Sequence, residues 1–443
     1  MHKSVKNIKI AISSLTQDAG EATRALELAK GLREDCPANI FITIIFLSHG
    51  SAFDSVFVEN GFEVYSVRPK LPGVGFLSDL ATTTLNMIGS VDLAYELLKG
   101  EVDALREICP EVLIHGFWPI AGIASKICKI QKEICYLPIP FEKRAFSTYL
   151  LQDLPDFLVP LTYLPISLRK MLMHGIPKSL KLKTPILKQS NILKALEKLD
   201  FDGKQPEIHN LFDMLGADFT IINDFPDFYK GFRLPDNFKV TGPLFPLVPH
   251  FQSIDSKIIE HFSDSSGKIR IFCTLGSSGR REHLVEAIKA LISLPSEKYE
   301  AVVLCPKAVC PIELAKAEAA GFSNIYITDS FIPALQVNSM ADIVLSHGGQ
   351  GTIQTAVASG TPIVGFAMQP EQQTNLDHIV AFGGAIRLPI NRWKSTNIKK
   401  AIIEISNSAQ YKENIQKLQK ILQTTDGRKN ATAAIFDFIF AVN

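Results

Sequence analysis

The chain has 443 residues, of which 46% are hydrophobic and 21% charged, so it is neither disordered nor a coiled coil and can bury the cores of two or three domains. Lys and Arg total 46 against 45 for Asp and Glu, a formal charge of +1, so no global field calls for a nucleic-acid partner. Seven cysteines without a CxxC or zinc-type spacing suit a reducing compartment. The opening stretch has no small-residue cleavage site, and the expectation is a cytoplasmic protein without a spanning helix.

Short β runs alternate with amphipathic helical stretches, the pattern of an α/β chain with parallel sheets. Strands are expected at Ile8–Ser14, Ile40–Leu47, Phe62–Val67, Glu111–His115 and Ile134–Leu137, with Thr220–Asn223 closing the first half and a helix at Ala22–Arg33. From Phe157 to Leu196 there is no acidic residue, but there are seven basic ones, with apolar residues interleaved. This stretch reads either as solvated helix faces or as a membrane-surface or amphiphilic-acceptor contact. Three prolines in 241–250 forbid continuous helix or central strand and mark a boundary. The alternation then restarts, with strands at Ile269–Leu275, Glu300–Leu304, Ile325–Thr328, Asp342–Ser346 and Pro362–Phe366, and helices from Arg281 and over 352–359. The expected division is 1–245, 246–425 and a C-terminal helix, 426–443, that returns to the first domain.

The strongest motif follows the strand at 342–346: Ser-His-Gly-Gly-Gln-Gly-Thr, then a helix, then Glu371-Gln372-Gln373-Thr374-Asn375. Glycines admit close approach of a ligand, and a helix N-terminus favours phosphate. HGGQGT, with SGTP and EQQTN behind it, resembles the donor motif of the family 1 (UDP-glycosyltransferase-like) glycosyltransferases of GT-B fold. The resemblance implies two Rossmann-like domains facing across a cleft and inverting transfer from a UDP- or dTDP-sugar, with neither metal nor cofactor. It implies that His347, Gly349, Gly351 and Thr352 hold the diphosphate and that Glu371 and Gln372 bind sugar hydroxyls. Gly276, Ser277 and Ser278 are similar to the family's glycine-serine turn. Phe331 and Ile332, in SFIPALQ, are similar to its nucleobase platform, although the usual Gln is Ala334 here. An acidic ribose-binding residue would stand where this chain has Thr355, which relaxes the preference for UDP over dTDP.

The same resemblance places the acceptor base just after the first strand. An acceptor hydroxyl is too weakly acidic to attack unaided. Gly20-Glu21 matches the family's Gly-His or Gly-Asp pair, with Glu21 either the base or a helix-capping carboxylate. His115, ending a strand, either completes a dyad with Glu21, takes the proton itself, or is a plain strand-end histidine. Asp18 is the third candidate. Asp200-Phe201-Asp202 has the spacing of a metal-binding DxD but reads as a turn. The expectation is a glycosyltransferase acting on a small apolar or amphiphilic acceptor. The alternatives are a GT-B nucleotide-sugar epimerase and a catalytically silent nucleotide-sugar-binding partner.

Overall fold

The computed structural model describes residues 6–150, 152–155, 160–200, 205–245, 254–263, 267–276, 279–330 and 332–441. It divides the chain into two compact units: Met1–Tyr149 with Pro177–Phe245 and Asp426–Asn443, and Leu150–Ile176 with Pro246–Thr425.

The first unit is built on a parallel sheet of β1 (Lys6–Ser13), β2 (Ile40–Ser48), β3 (Glu63–Ser66), β4 (Val112–His115), β5 (Lys132–Leu137), β6 (Phe219–Ile222) and β7 (Phe238–Val240), in the order β3-β2-β1-β4-β5-β6-β7. Sequence pattern closes this half at Thr220–Asn223. The structure adds β7, a three-residue edge strand between Pro235 and Gly242-Pro243, too short to show alternation. Both faces of the sheet are covered, which is why its strands read as near-continuous apolar runs. Ile8, Ile10, Ile12, Ile114, Ile134 and Tyr136 face helix α1 (Ala19–Glu34) and the C-terminal helix Gly427–Phe440. Ala11 and Leu113 face the other way, toward Leu97, Leu98 and Leu105 of α2 (Val91–Ile108). Thr432 of the C-terminal helix donates to Asp35 at 2.6 Å, and Lys132 donates to the carbonyls of Phe438 and Ile439.

The second unit holds β8 (Ile269–Thr274), β9 (Tyr299–Leu304), β10 (Ile325–Thr328), β11 (Ile343–Ser346), β12 (Ile363–Gly365) and β13 (Ala385–Arg387), all parallel in the order β10-β9-β8-β11-β12-β13. Its helices include α3 (Ala334–Met340), α4 (Gln350–Ala358) and α5 (Pro370–Ala381), of which α4 starts directly from the loop after β11. In each sheet the strand order reverses once, between β1 and β4 and between β8 and β11. Ligands of open α/β sheets bind beyond the carboxyl ends of the strands at such points.

The division expected from sequence differs from the structure at one place. Residues 150–176 leave the first unit and pack on the second. Asp153 is buried and accepts Arg169 Nη2 at 2.9 Å and Arg387 Nη2, and Arg387 Nε bonds Asp377 of α5 at 2.7 Å. Gln373 of α5 donates to the Leu154 carbonyl at 3.1 Å, and Leu154 packs on Met173 of the helix Ile166–Gly175. Two arginines against two aspartates leave the network neutral, which is what permits its burial. Arg169, although part of the basic stretch, is thus an interior cation and not a surface charge. Among the described residues no helix is long and apolar enough to cross a membrane.

Candidate active site

In the second unit the loop after β11 places His347 at the switch point. Its imidazole is cradled by two glycines. A Cβ on Gly276, after β8, would lie 2.6 Å from Cε1, and one on Gly349 would lie 2.7 Å from Nε2. These glycines therefore make room for the histidine ring as well as for a ligand. Gly351, in the first turn of α4, faces open space. His347 is buried, its Nδ1 has no hydrogen-bond partner among the described residues, and burial lowers its pKa to about 4. The imidazole is therefore neutral at neutral pH, able to donate one N–H toward an anion at the helix N-terminus.

The two halves of the motif are tied together. Asn375 Nδ2 donates to the Gly348 carbonyl at 3.1 Å and also to the Glu371 carboxylate. This explains the Asn at the end of EQxxN: it locks the His-Gly-Gly loop to the start of α5. Gln372 is buried and its Oε1 accepts the Met368 N–H at 2.9 Å, fixing the loop that enters α5. One acceptor position of its carbonyl is therefore occupied, and its amide hydrogens remain to be offered to a sugar hydroxyl. Thr355 also has a structural role. Its hydroxyl donates to Gly351 O at 2.8 Å and accepts from Asn338 Nδ2 of α3 at 3.0 Å, so it fastens α4 to α3. Ile332 is a core side chain against Phe272, Val302 and Val337, which leaves only its backbone for a base. Thr352 lies in the first turn of α4, half-buried. Ser277, Ser278 and Phe331 lie outside the described residues, as do Phe201 and Asp202 of the DxD-like turn.

In the first unit, the carboxyl ends of β1 and β4 flank Glu21, in the first turn of α1. Ser14 Oγ donates to Glu21 Oε1 at 2.8 Å, Arg24 pairs with Oε2, and Tyr136 OH bonds Ser14 Oγ. With Ser14 donating to the carboxylate, Tyr136 must donate to Ser14. Tyr136 is fully buried, and burial and the Glu21 charge push its pKa well above the usual phenol value, so that proton stays in place. The carboxylate lies directly over Gly116. A Cβ there would fall 1.6 Å from Oε1 and 2.5 Å from Ser14 Oγ, so only glycine fits beneath the acid. Asp18 precedes α1, half-buried, and its side chain does not cap the helix.

The structure does not form the Glu21–His115 dyad. In register, His115 pairs with Ser13 and Cys135, on the sheet face away from α1. It is fully buried, with Nδ1 at 2.9 Å from Gly116 O and Nε2 at 3.2 Å from Glu133, which also takes Lys126 at 3.0 Å. Burial works to lower its pKa, but Cys135 and Glu133 outweigh it and raise it to about 10. A protonated imidazole sealed under the sheet cannot accept an acceptor's proton. No sequence motif singles out Ser14, Tyr136 or Arg24, although Arg24 stands three residues after Glu21 on one helix, the spacing of an ion pair.

Residues 334–434 match the family described as UDP-glucoronosyl and UDP-glucosyl transferase. Over that stretch the chain resembles the family 1 glycosyltransferases. The chain is similar to the PGL/p-HBAD biosynthesis glycosyltransferase of Mycobacterium tuberculosis, 24% identical over 209 residues, 46% of this chain and 44% of that protein. Human UDP-glucuronosyltransferase 2B10 is 27% identical over 194 residues, 42% of this chain and 35% of that one. The matched stretch thus spans less than half the length of these curated relatives. The solved glycotransferase of kitacinnamycin superposes with a TM-score of 0.65 at 18% identity over 97% of this chain and 98% of that one. The spinosyn rhamnosyltransferase SpnG complexed with thymidine diphosphate does so with 0.58 at 13% identity, over 98% of this chain and all of that one. The fold is GT-B.

Proposed function

We propose that the chain transfers a sugar, with inversion, from a nucleoside diphosphate sugar to a hydroxyl of an apolar or amphiphilic acceptor. The observation that carries this reading is His347. It is a neutral, buried imidazole with an unpartnered nitrogen, set between two glycines at a switch point where α4 opens its N-terminus. Donor binding would use His347, Gly276, Ser277, Ser278, Gly349, Gly351 and Thr352 for the diphosphate, Phe331 and Ile332 for the base, and Glu371 and the Gln372 amide for the sugar. In the reaction, the acceptor oxygen attacks the anomeric carbon as its proton passes to the Glu21 carboxylate. The bond from that carbon to the diphosphate breaks with the electron pair leaving on phosphate oxygen, whose charge the N–H groups of α4 and His347 stabilise. Attack from the face opposite the leaving group inverts the centre.

With no carboxylate at Thr355, the site tolerates dTDP as well as UDP. A SpnG structure holds thymidine diphosphate and another holds spinosyn aglycone, which supports a dTDP-sugar donor and an aglycone-type acceptor here. The test is a thermal-shift panel of UDP- and dTDP-sugars, followed by acceptor screening with the best donor. Stabilisation by at least one nucleotide sugar is expected, then product of inverted anomeric configuration. No stabilisation by any of them would refute the donor site. Donor turnover without an acceptor would instead support an epimerase.

A further inference from the structure

The helix Ile166–Gly175 turns Arg169 and Met173 inward and the rest of its length outward. Ile166 and Met171 are more than half exposed, and Tyr163, just ahead of the helix, is too. Leu161 and Leu172 add to them, so that five of the sixteen large exposed hydrophobic side chains of the described residues fall within 161–172. So dense a set of exposed apolar side chains calls for a partner. Among the described residues 160–176 there is no carboxylate, and the exposed charge there is basic. Lys170 is exposed on the same helix, and exposed Arg392 donates to the Tyr163 carbonyl at 2.9 Å with its guanidinium over the ring. The carboxylates beneath, Asp153 and Asp377, are held by Arg169 and Arg387.

We infer that this face docks the protein on a membrane surface rich in anionic lipid. Apolar side chains projecting from a short helix enter the headgroup boundary, while Lys170 and Arg392 reach phosphate. A second copy of the chain would set like charges against each other across a symmetric contact. A small apolar acceptor needs a concavity, whereas these side chains project from a helix. The docking is independent of the transfer reaction.

The test uses the full chain in sedimentation with vesicles of phosphatidylcholine alone, and with vesicles carrying about 30% phosphatidylglycerol, a surface on which each lysine contributes about fivefold to partition. Binding is expected on the anionic vesicles, weaker on the neutral ones and falling with salt. Lys170→Glu should lower partition at least about fivefold, and Ile166→Ser with Met171→Ser should lower it further, with melting temperature and nucleotide-induced stabilisation unchanged. No sedimentation of the wild type with anionic vesicles would overturn the proposal. So would equal partition of the folded variants, or a wild-type dimer that the Ile166/Met171 variant converts to monomer without any vesicle binding.

Discussion

Replacing Glu21 with Gln isolates the proton transfer from everything else this residue does. The amide keeps its carbonyl oxygen in place to accept Ser14 at 2.8 Å, and it still fits over Gly116, so geometry is retained. What is lost is the ion pair with Arg24 at i,i+3, worth about 0.5–1 kcal/mol of stability for a pair that is mostly but not wholly buried. The rate should suffer far more. Removing a general base costs about 10²–10⁴ in kcat, which at about 1.4 kcal/mol per decade is about 3–5 kcal/mol of barrier. The assay is single-turnover product formation with enzyme saturated in donor, alongside calorimetric donor affinity, which should not change. A folded variant that retains kcat within about fivefold would refute the assignment, since no general base contributes so little. If Glu21 is not the base, Asp18 is next, because His115 faces the wrong side of the sheet.

Gly116→Ala should reproduce the loss without touching a titratable group, because the new methyl occupies the place of Glu21 Oε1; activity should fall at least about tenfold in the same assay with donor affinity intact. His347→Ala should weaken donor binding by about 1–3 kcal/mol in calorimetry. The same histidine makes the fold acid-sensitive: its pKa is about 4 in the folded chain against 6.5 for an unburied imidazole, so the unfolded chain takes up the proton first as pH falls. Stability is therefore fully present above 6.5 and declines toward about 4, and denaturant titrations at about pH 8 and about pH 5 should differ by about 2 kcal/mol more in wild type than in His347→Ala. Thr355→Glu should move the kcat/KM ratio toward UDP-sugars over dTDP-sugars; a wild-type preference for UDP above about tenfold that the substitution leaves unchanged would remove this position from nucleotide choice.

The donor motif is readable in the sequence because its residues are contiguous and its glycines have one local purpose, room at a switch point. The roles within it are not, because they depend on partners outside the motif. Thr355 is spent on Asn338, seventeen residues away, and the Gln372 carbonyl on the Met368 N–H. The acceptor side is obscure for a different reason. Ser14, Glu21 and Tyr136 come from two strand ends and a helix, and spacing alone does not say which face of a buried parallel strand each side chain takes. Ile114 and His115 are neighbours in an apolar run with no exposed face to set the phase, so the pleat that separates His115 from Glu21 shows only once register is known. The excursion at 150–176 is invisible for a related reason: a neutral network of two arginines and two aspartates, spread over more than 220 residues, leaves no local pattern.

That excursion also determines how the molecule can be taken apart. Its ends are joined to the first unit, yet its interior is completed by side chains that the ribosome makes more than two hundred residues later. Asp153 and Arg169 emerge long before Arg387, so the segment waits, apolar face and all, until translation nears Thr425. For the same reason a single cut at the 245/246 boundary does not yield a self-sufficient C-terminal module: Arg387 would keep Asp377 but lose Asp153, and the face that 150–176 packs on would be laid open. Chimeras that exchange donor halves between relatives should carry the 150–176 segment with the half it packs on, even though the chain order assigns it to the other.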